Sequence, residues 1–325
     1  MNNSLRTQAL AEGALMAAIT AILGLTGIYL PFIRIFTDML WTIPIVIVTT
    51  RHGLTAGAVS LGVAGLLIFA LAHPLQAVFL ILQFGALALF YGYAFKKGFK
   101  PSFTLLVGTG VAVLSLLLVI LLMLGLFGAD VLDIAKQMQV SIEPTLQLYE
   151  KLGLFSESAQ TGLTEELVRQ LLESFIYTIT LLIPAMLALW ALTTSFLNYV
   201  IAQVVLLRLK ISIPVLLLFR QWRLPWWTVW GFILGFASYL AGDYFALQTV
   251  SQVGLNIMLL YAPILLVLGL SVTSFFMGNF FSGIWARVLI VLITVFFIQF
   301  IIIALMSVGL LDLLLNYRHL SRSKD

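Results

Sequence analysis

Apolar runs of about 20 residues follow one another along the chain, separated by short polar punctuation instead of polar domains. A run of that length crosses a hydrocarbon core of roughly 30 Å as an α-helix. The alternation of apolar and polar residues that a membrane barrel requires is absent. The pattern predicts spans at about 9–30, 34–50, 54–72, 75–95, 102–127, 175–207, 226–247, 254–277 and 286–311. The second is short, which fits a tilted, broken or protein-backed helix. The sixth is overlong and contains Pro184, so a kink or a projecting end is expected there. The predicted fold class is all-α, a polytopic transmembrane bundle of eight to nine spans.

Between the fifth and sixth spans lies the one sizeable polar stretch, residues 128–174. It carries eight of the 13 acidic residues: Asp130, Asp133, Glu143, Glu150, Glu157, Glu165, Glu166 and Glu173. Two helical pieces are predicted, divided by the Gly- and Ser-containing segment from Gly153 to Gly162. In the second, Thr164 can cap while Glu165 and Glu166 complement the helix dipole. Leu167, Val168, Leu171 and Leu172 form an apolar stripe. Such a hairpin either rests on the membrane surface or closes over a cavity mouth, and amphipathicity alone fits both. A second non-spanning stretch, 211–230, holds Pro214, Arg220, Arg223, Pro225 and four of the seven tryptophans: Trp222, Trp226, Trp227 and Trp230. Trp and Arg belong at the headgroup level, so this is an interfacial elbow leading into the seventh span.

Composition agrees with the pattern. Apolar residues make up 62% of the chain and charged ones 9%, against about a quarter charged in soluble domains. The net charge of +4 is no nucleic-acid signal, because the basic residues sit at helix ends, as in Lys96, Lys97 and Lys100. A cytoplasmic N-terminus in a bacterial cell membrane gathers Arg6, Arg51, Lys96, Lys97, Lys100, Arg208, Lys210, Arg220 and Arg223 on the cytoplasmic side and leaves 128–174 external. Nine spans then place Arg318, Arg322 and Lys324 outside, against the same rule. Eight and nine spans both stay open. Ala9-Leu10-Ala11 precedes the first apolar run instead of following it, so no cleavable signal is expected and the first helix is retained.

The chain has no cysteine, which excludes disulfides and thiolate chemistry. His52, His73 and His319 are far apart, and neither a Gly-x-Ser-x-Gly elbow nor a nucleotide loop is present. Gly108-Thr109-Gly110 lies in an apolar span and is a packing feature. No enzymatic activity, cofactor or metal is expected.

Ionisable groups inside a span usually face a protein interior or a wet cavity. Arg34 and Asp38, one helical turn apart near the turn at Pro31, are therefore the leading pointer to a functional cavity. They are either a structural ion pair or ligand contacts. Trp41 lies below them as an apolar wall, and the candidate binding set is completed by Gln83, Tyr91, Asn198 and Gln203. For the amides among them, an interhelical hydrogen bond is the favoured reading over a ligand contact. Asp243 is placed at an interface, and Asp312 pairs with Arg318 or a helix end. Small residues at four-residue spacing on the first helix, Ala14 with Ala18 and Ala17 with Ala21, permit close helix approach, whether within the bundle or to a partner.

The first helix, AEGALMAAITAILGLTGIYLP, with the short second helix, the Arg51-His52-Gly53 hinge and the Gly/Ala-rich third span, resembles the substrate-binding S components of energy-coupling-factor (ECF) transporters. The whole chain, with its carboxy-terminal SVGLLDLLLNYRHL, looks like the YybS-like uncharacterised bacterial membrane proteins. The S-component likeness covers 1–207, with 208–325 as an elbow and two to three added helices. It implies a small-molecule ligand and a transmembrane coupling subunit with ATP-binding subunits as partners, docked through Ala14, Ala17, Ala18 and Ala21. The chain departs from S components in its very short connection at Leu30 and Pro31, where they carry a loop that closes over the ligand. The function expected is binding of a small solute and participation in its transport. The alternative is a non-transporting membrane scaffold or regulatory subunit on the same fold. An intramembrane lipid enzyme is the third class, without a nucleophile–base pair to support it.

Overall fold

In the computed structural model, residues 3–128, 133–155, 164–277 and 296–318 are described. All regular structure among them is helical. Eight of these helical segments are long and apolar enough to cross a membrane. They form two compact units, one made of 1–133 with 188–216, the other of 134–187 with 217–325. This partition differs from a cut at 207/208, because one 44-residue helix contributes to both units.

In the first unit α1 (Asn3–Tyr29) is followed by a 3-10 turn at Pro31–Ile33, α2 (Arg34–Trp41) and α3 (Ile43–His52). The second span is interrupted at Thr42. Pro44 supplies no N–H for the carbonyl of Leu40 and crowds it, which ends α2 at Trp41. Every residue from Ile43 to Thr50 is buried, so this span is backed by protein on all sides. The Thr49 and Thr50 hydroxyls donate to the carbonyls of Ile45 (2.8 Å) and Val46 (2.7 Å), which satisfies them inside the helix. Only Gly53, at φ +100°, separates α3 from α4 (Leu54–Leu71), a backbone that a side chain would strain.

The fourth span is α5 (Pro74–Leu80), a π-turn at Ile81–Gly85 and α6 (Ala86–Lys97). After it α7 (Pro101–Phe127) buries only Thr104, Gly108, Ala112 and Ser115, a stripe at helical spacing. Its remaining apolar surface is what lipid solvates. The core joins Trp41, Ile45, Phe84, Leu87, Tyr91 and Phe95 to Tyr199 and Leu206.

The second unit starts with α8 (Ile134–Gln139) and α9 (Ile142–Lys151), two short helices where one piece was expected. The intended second piece and the sixth span are one helix, α10 (Glu165–Arg208). Its start is capped as predicted, with the Leu167 N–H donating to the Thr164 hydroxyl at 3.2 Å. Val168 and Ile176 bury against Ile142 and Leu146, with Leu172 packed beside them, while Leu167 and Leu171 stay exposed. Asp130 and Glu157 lie outside the described residues. The unit is completed by α11 (Val229–Tyr244), α12 (Gln248–Met277) and α13 (Ile298–Leu315). Expected as the seventh span, α11 has 16 residues, about 24 Å of helix and shorter than a full crossing. Of the expected ninth span, residues 286–295 lie outside the described residues, and α13 runs on to Leu315.

Candidate functional site

Two departures from regular helix, the break at Thr42 and the π-turn, meet α10 in the first unit. Ile35, Asp38 and Met39 come from α2, just before the break at Thr42. Phe84 comes from the π-turn, and Trp190, Thr193, Thr194, Leu197 and Asn198 from α10. Together they line a cleft of about 40 Å³ with a mainly apolar wall. A water needs roughly 10–15 Å³ by such a measure, so the space admits a few waters at most. In membrane proteins irregular backbone is tolerated where it is buried in protein or lines a cavity.

Asp38 reaches the cleft with its side chain 19% exposed, and Arg34 above it is 55% exposed. A single contact joins them, Nε to Oδ2 at 3.5 Å. Most donors of the guanidinium and the second carboxylate oxygen are left to other partners. Behind the cleft the Thr42 hydroxyl donates to Asn198 Oδ1, and Asn198 Nδ2 donates to the Thr194 carbonyl at 2.8 Å. Asn198 thus ties the break in the second span to α10.

The other candidate residues are placed elsewhere. Trp41 is wholly buried, tilted against Phe84 at 6.2 Å between ring centres, and does not line the cleft. Its indole N–H faces Gly24 and has no acceptor among the described residues. Tyr91 donates to the Ser195 carbonyl at 2.8 Å and lies 2.6 Å from its hydroxyl, to which Thr109 also donates at 3.1 Å. Gly108 makes room for it, since a Cβ there would sit 2.4 Å from the Tyr91 oxygen. Gln203 Oε1 accepts the Leu216 N–H at 2.9 Å and folds the chain after α10 back onto it. Gln83 is half-buried in the π-turn, outside the cleft. Arg34, Asp38 and Asn198 thus come together, whereas Trp41, Gln83, Tyr91 and Gln203 are dispersed.

The two alanine pairs of α1 face different ways. Ala17 and Ala21 are buried in the stripe with Gly13, Gly24 and Gly27, whereas Ala14 is exposed and Ala18 half-exposed. Close packing within the unit uses the first pair only.

Three polar clusters had gone unnoticed in the sequence or were only half seen. Glu12 of α1 holds both Arg51 and His52, the latter at 2.8 Å, and Lys96 donates to the Arg51 carbonyl at 3.4 Å. In the second unit Asn256 of α12 bonds the turn around Pro184. Asp312 pairs with Arg318 at 2.7 Å, deep in the same unit. Asp243 is exposed at the end of α11. Among the described residues no three of His, Asp and Glu converge as a metal site.

Eight long apolar helices with buried polar clusters define a multi-pass, all-helical membrane protein. The sequence model of a family described as "Predicted membrane protein (DUF2232)" matches residues 18–313, and the chain belongs to that family. It is also similar to the "Uncharacterized protein YybS" of Bacillus subtilis (strain 168), 24% identical over 220 residues, which covers 68% of this chain and 69% of that protein. No solved structure matches the chain.

Proposed function

We propose that the protein binds a small solute at the Asp38 cleft and takes part in its movement across the bacterial membrane, in the manner of an ECF S component. The observation that carries this reading is the convergence on one cleft of a broken span, a π-turn and an incompletely partnered ion pair. π-turns and broken membrane helices recur at functional sites because they free backbone and side-chain groups for a ligand. At about 40 Å³ the cleft has no room for a solute as it stands, so this reading requires α2 to part from α10. Energy, where it is used, comes from ATP-binding partners through a coupling subunit docked on the Ala14 and Ala18 face of α1. The N-terminus is cytoplasmic in this scheme. Cysteines introduced at Gly98 and Glu150 then label from opposite sides with an impermeant reagent, and labelling of both from one side contradicts it.

The second reading is a non-transporting scaffold or regulatory subunit on the same fold. The small size of the cleft favours it, since ligand pockets generally measure 300–1,000 Å³. Native mass spectrometry of gently extracted protein separates the two. A retained small molecule, with ATP-binding subunits co-purifying, supports the transport reading. A solute-free protein held by a single non-transport partner supports the scaffold.

A further inference from the structure

We propose that the turn of α10 around Pro184 is a two-state hinge, held in the state seen here by the side-chain amide of Asn256. Proline has no N–H and its ring crowds the carbonyl four residues back, so Thr180 loses its intrahelical donor. The disturbance extends to the next pair. In an uninterrupted helix the Ala185 N–H would donate to the Leu181 carbonyl. Here the Ala185 N–H donates to Asn256 Oδ1 at 2.9 Å. The Leu181 carbonyl accepts from Asn256 Nδ2 at 2.8 Å and from Gln252 Nε2 at 3.3 Å. One amide therefore supplies both the acceptor and the donor that the turn needs. Asn256 Nδ2 also donates to the Gln252 carbonyl at 2.8 Å, which fixes the direction of the amide.

The arrangement has an alternative with the same number of paired backbone groups. The Ala185 N–H returns to Leu181, and Asn256 withdraws while keeping its bond to the Gln252 carbonyl. The exchange gives up the two Asn256 bonds to the turn for one backbone bond, but abandons no backbone group in an apolar surrounding, which keeps a second bend of the helix within reach. Beyond the turn α10 continues as helix to Arg208. The hinge stands whether or not the cleft takes a solute.

The chain has no native cysteine, so spin labels at Ser174 and Val204, both exposed on α10, report the bend directly. Thirty residues separate them, about 45 Å in a straight helix. In the full-length protein in liposomes, Pro184→Ala is expected to lengthen and narrow the distance distribution by restoring the lost donor. Asn256→Ala shifts it the same way. It also lowers the apparent Tm by about 5 °C, but by less than about 2 °C in the Pro184→Ala background. Should Asn256→Ala not fold, Asn256→Asp, which keeps the acceptor and loses the donor, takes its place. Identical distributions in wild type and both variants overturn the hinge, and so does an equal Tm loss in the two backgrounds.

Discussion

An Arg–Asp pair lies on or beside a membrane span in each unit, and the two are held in opposite ways. Arg318 is buried, its side chain 1% exposed. Its guanidinium donates to Asp312, to Ser271 Oγ and to the carbonyls of Arg220 and Trp222, five bonds between 2.7 and 3.2 Å. It clamps the elbow before α11 to α12 and to the end of α13, and Ser271 reinforces this by donating to the Phe219 carbonyl at 2.6 Å. Arg34 makes one contact of 3.5 Å to Asp38 and is more than half exposed. A buried charge is tolerable only when its donors are filled, so Arg318 has nothing left to offer a ligand. Arg34 and Asp38 keep most of their capacity free. Saturation distinguishes a structural pair from an available one better than position in the sequence does.

The largest expected effect lies in the buried pair, where the Arg318 guanidinium is filled while Asp312 Oδ1 has no hydrogen-bond partner among the described residues. Replacing Arg318 by Met strands the Asp312 carboxylate and should cost about 3–5 kcal/mol, seen as a collapse of the denaturation midpoint in detergent. The apolar double variant Arg318→Met/Asp312→Leu should recover most of it. A single replacement costing less than about 1 kcal/mol would remove Arg318 from its structural role.

Next in size is the packing that holds the cleft unit together. Ala17→Leu should cost about 1–3 kcal/mol, because α1 meets its neighbours through that stripe, whereas Ala14→Leu should stay within about 0.5 kcal/mol. Equal losses at both positions would mean that α1 has no free face. Smaller again is Thr42→Val, which takes the hydroxyl from Asn198 and should cost about 1 kcal/mol, read from the same midpoint. No change at all would detach the break in the second span from α10.

Much of this was legible where the cause is local. Gly53 after two basic residues and Thr164 before two glutamates act within a turn of themselves, and each produced its expected feature; the short second span is broken and protein-backed, with Pro44 as the local cause. The division of the polar insertion from the sixth span failed for an equally local reason. Between Thr164 and Pro184 no glycine or proline stops the helix, so the change from amphipathic to uniformly apolar at Phe175 marks an environment and not an end. Long-range pairings stayed hidden. Ser195 and Asn256 are small polar residues in apolar runs, and their roles depend on Tyr91 and Pro184, 104 residues away in the first case. A proline inside a span was itself the signal that its broken turn needs other hydrogen-bond partners, without saying which residue supplies them. The choice between the two alanine registers of α1 was likewise decided only by what packs against it. Of the candidate binding residues, Arg34, Asp38 and Asn198 converge because α2 and α10 meet at the break, which no local pattern announces.

The central claim is that the Arg34–Asp38 pair is available to a ligand while its counterpart in the other unit is not. The most direct test is native mass spectrometry of Arg34→Gln/Asp38→Asn beside the wild type, on protein whose Tm is checked first. A singly bonded pair whose arginine is more than half exposed contributes about 0–1 kcal/mol, so the double variant should keep its Tm within about 2 °C. It should also lose the small-molecule adduct that the wild type retains. An adduct bound equally by both proteins, or a wild type with none, would contradict the account.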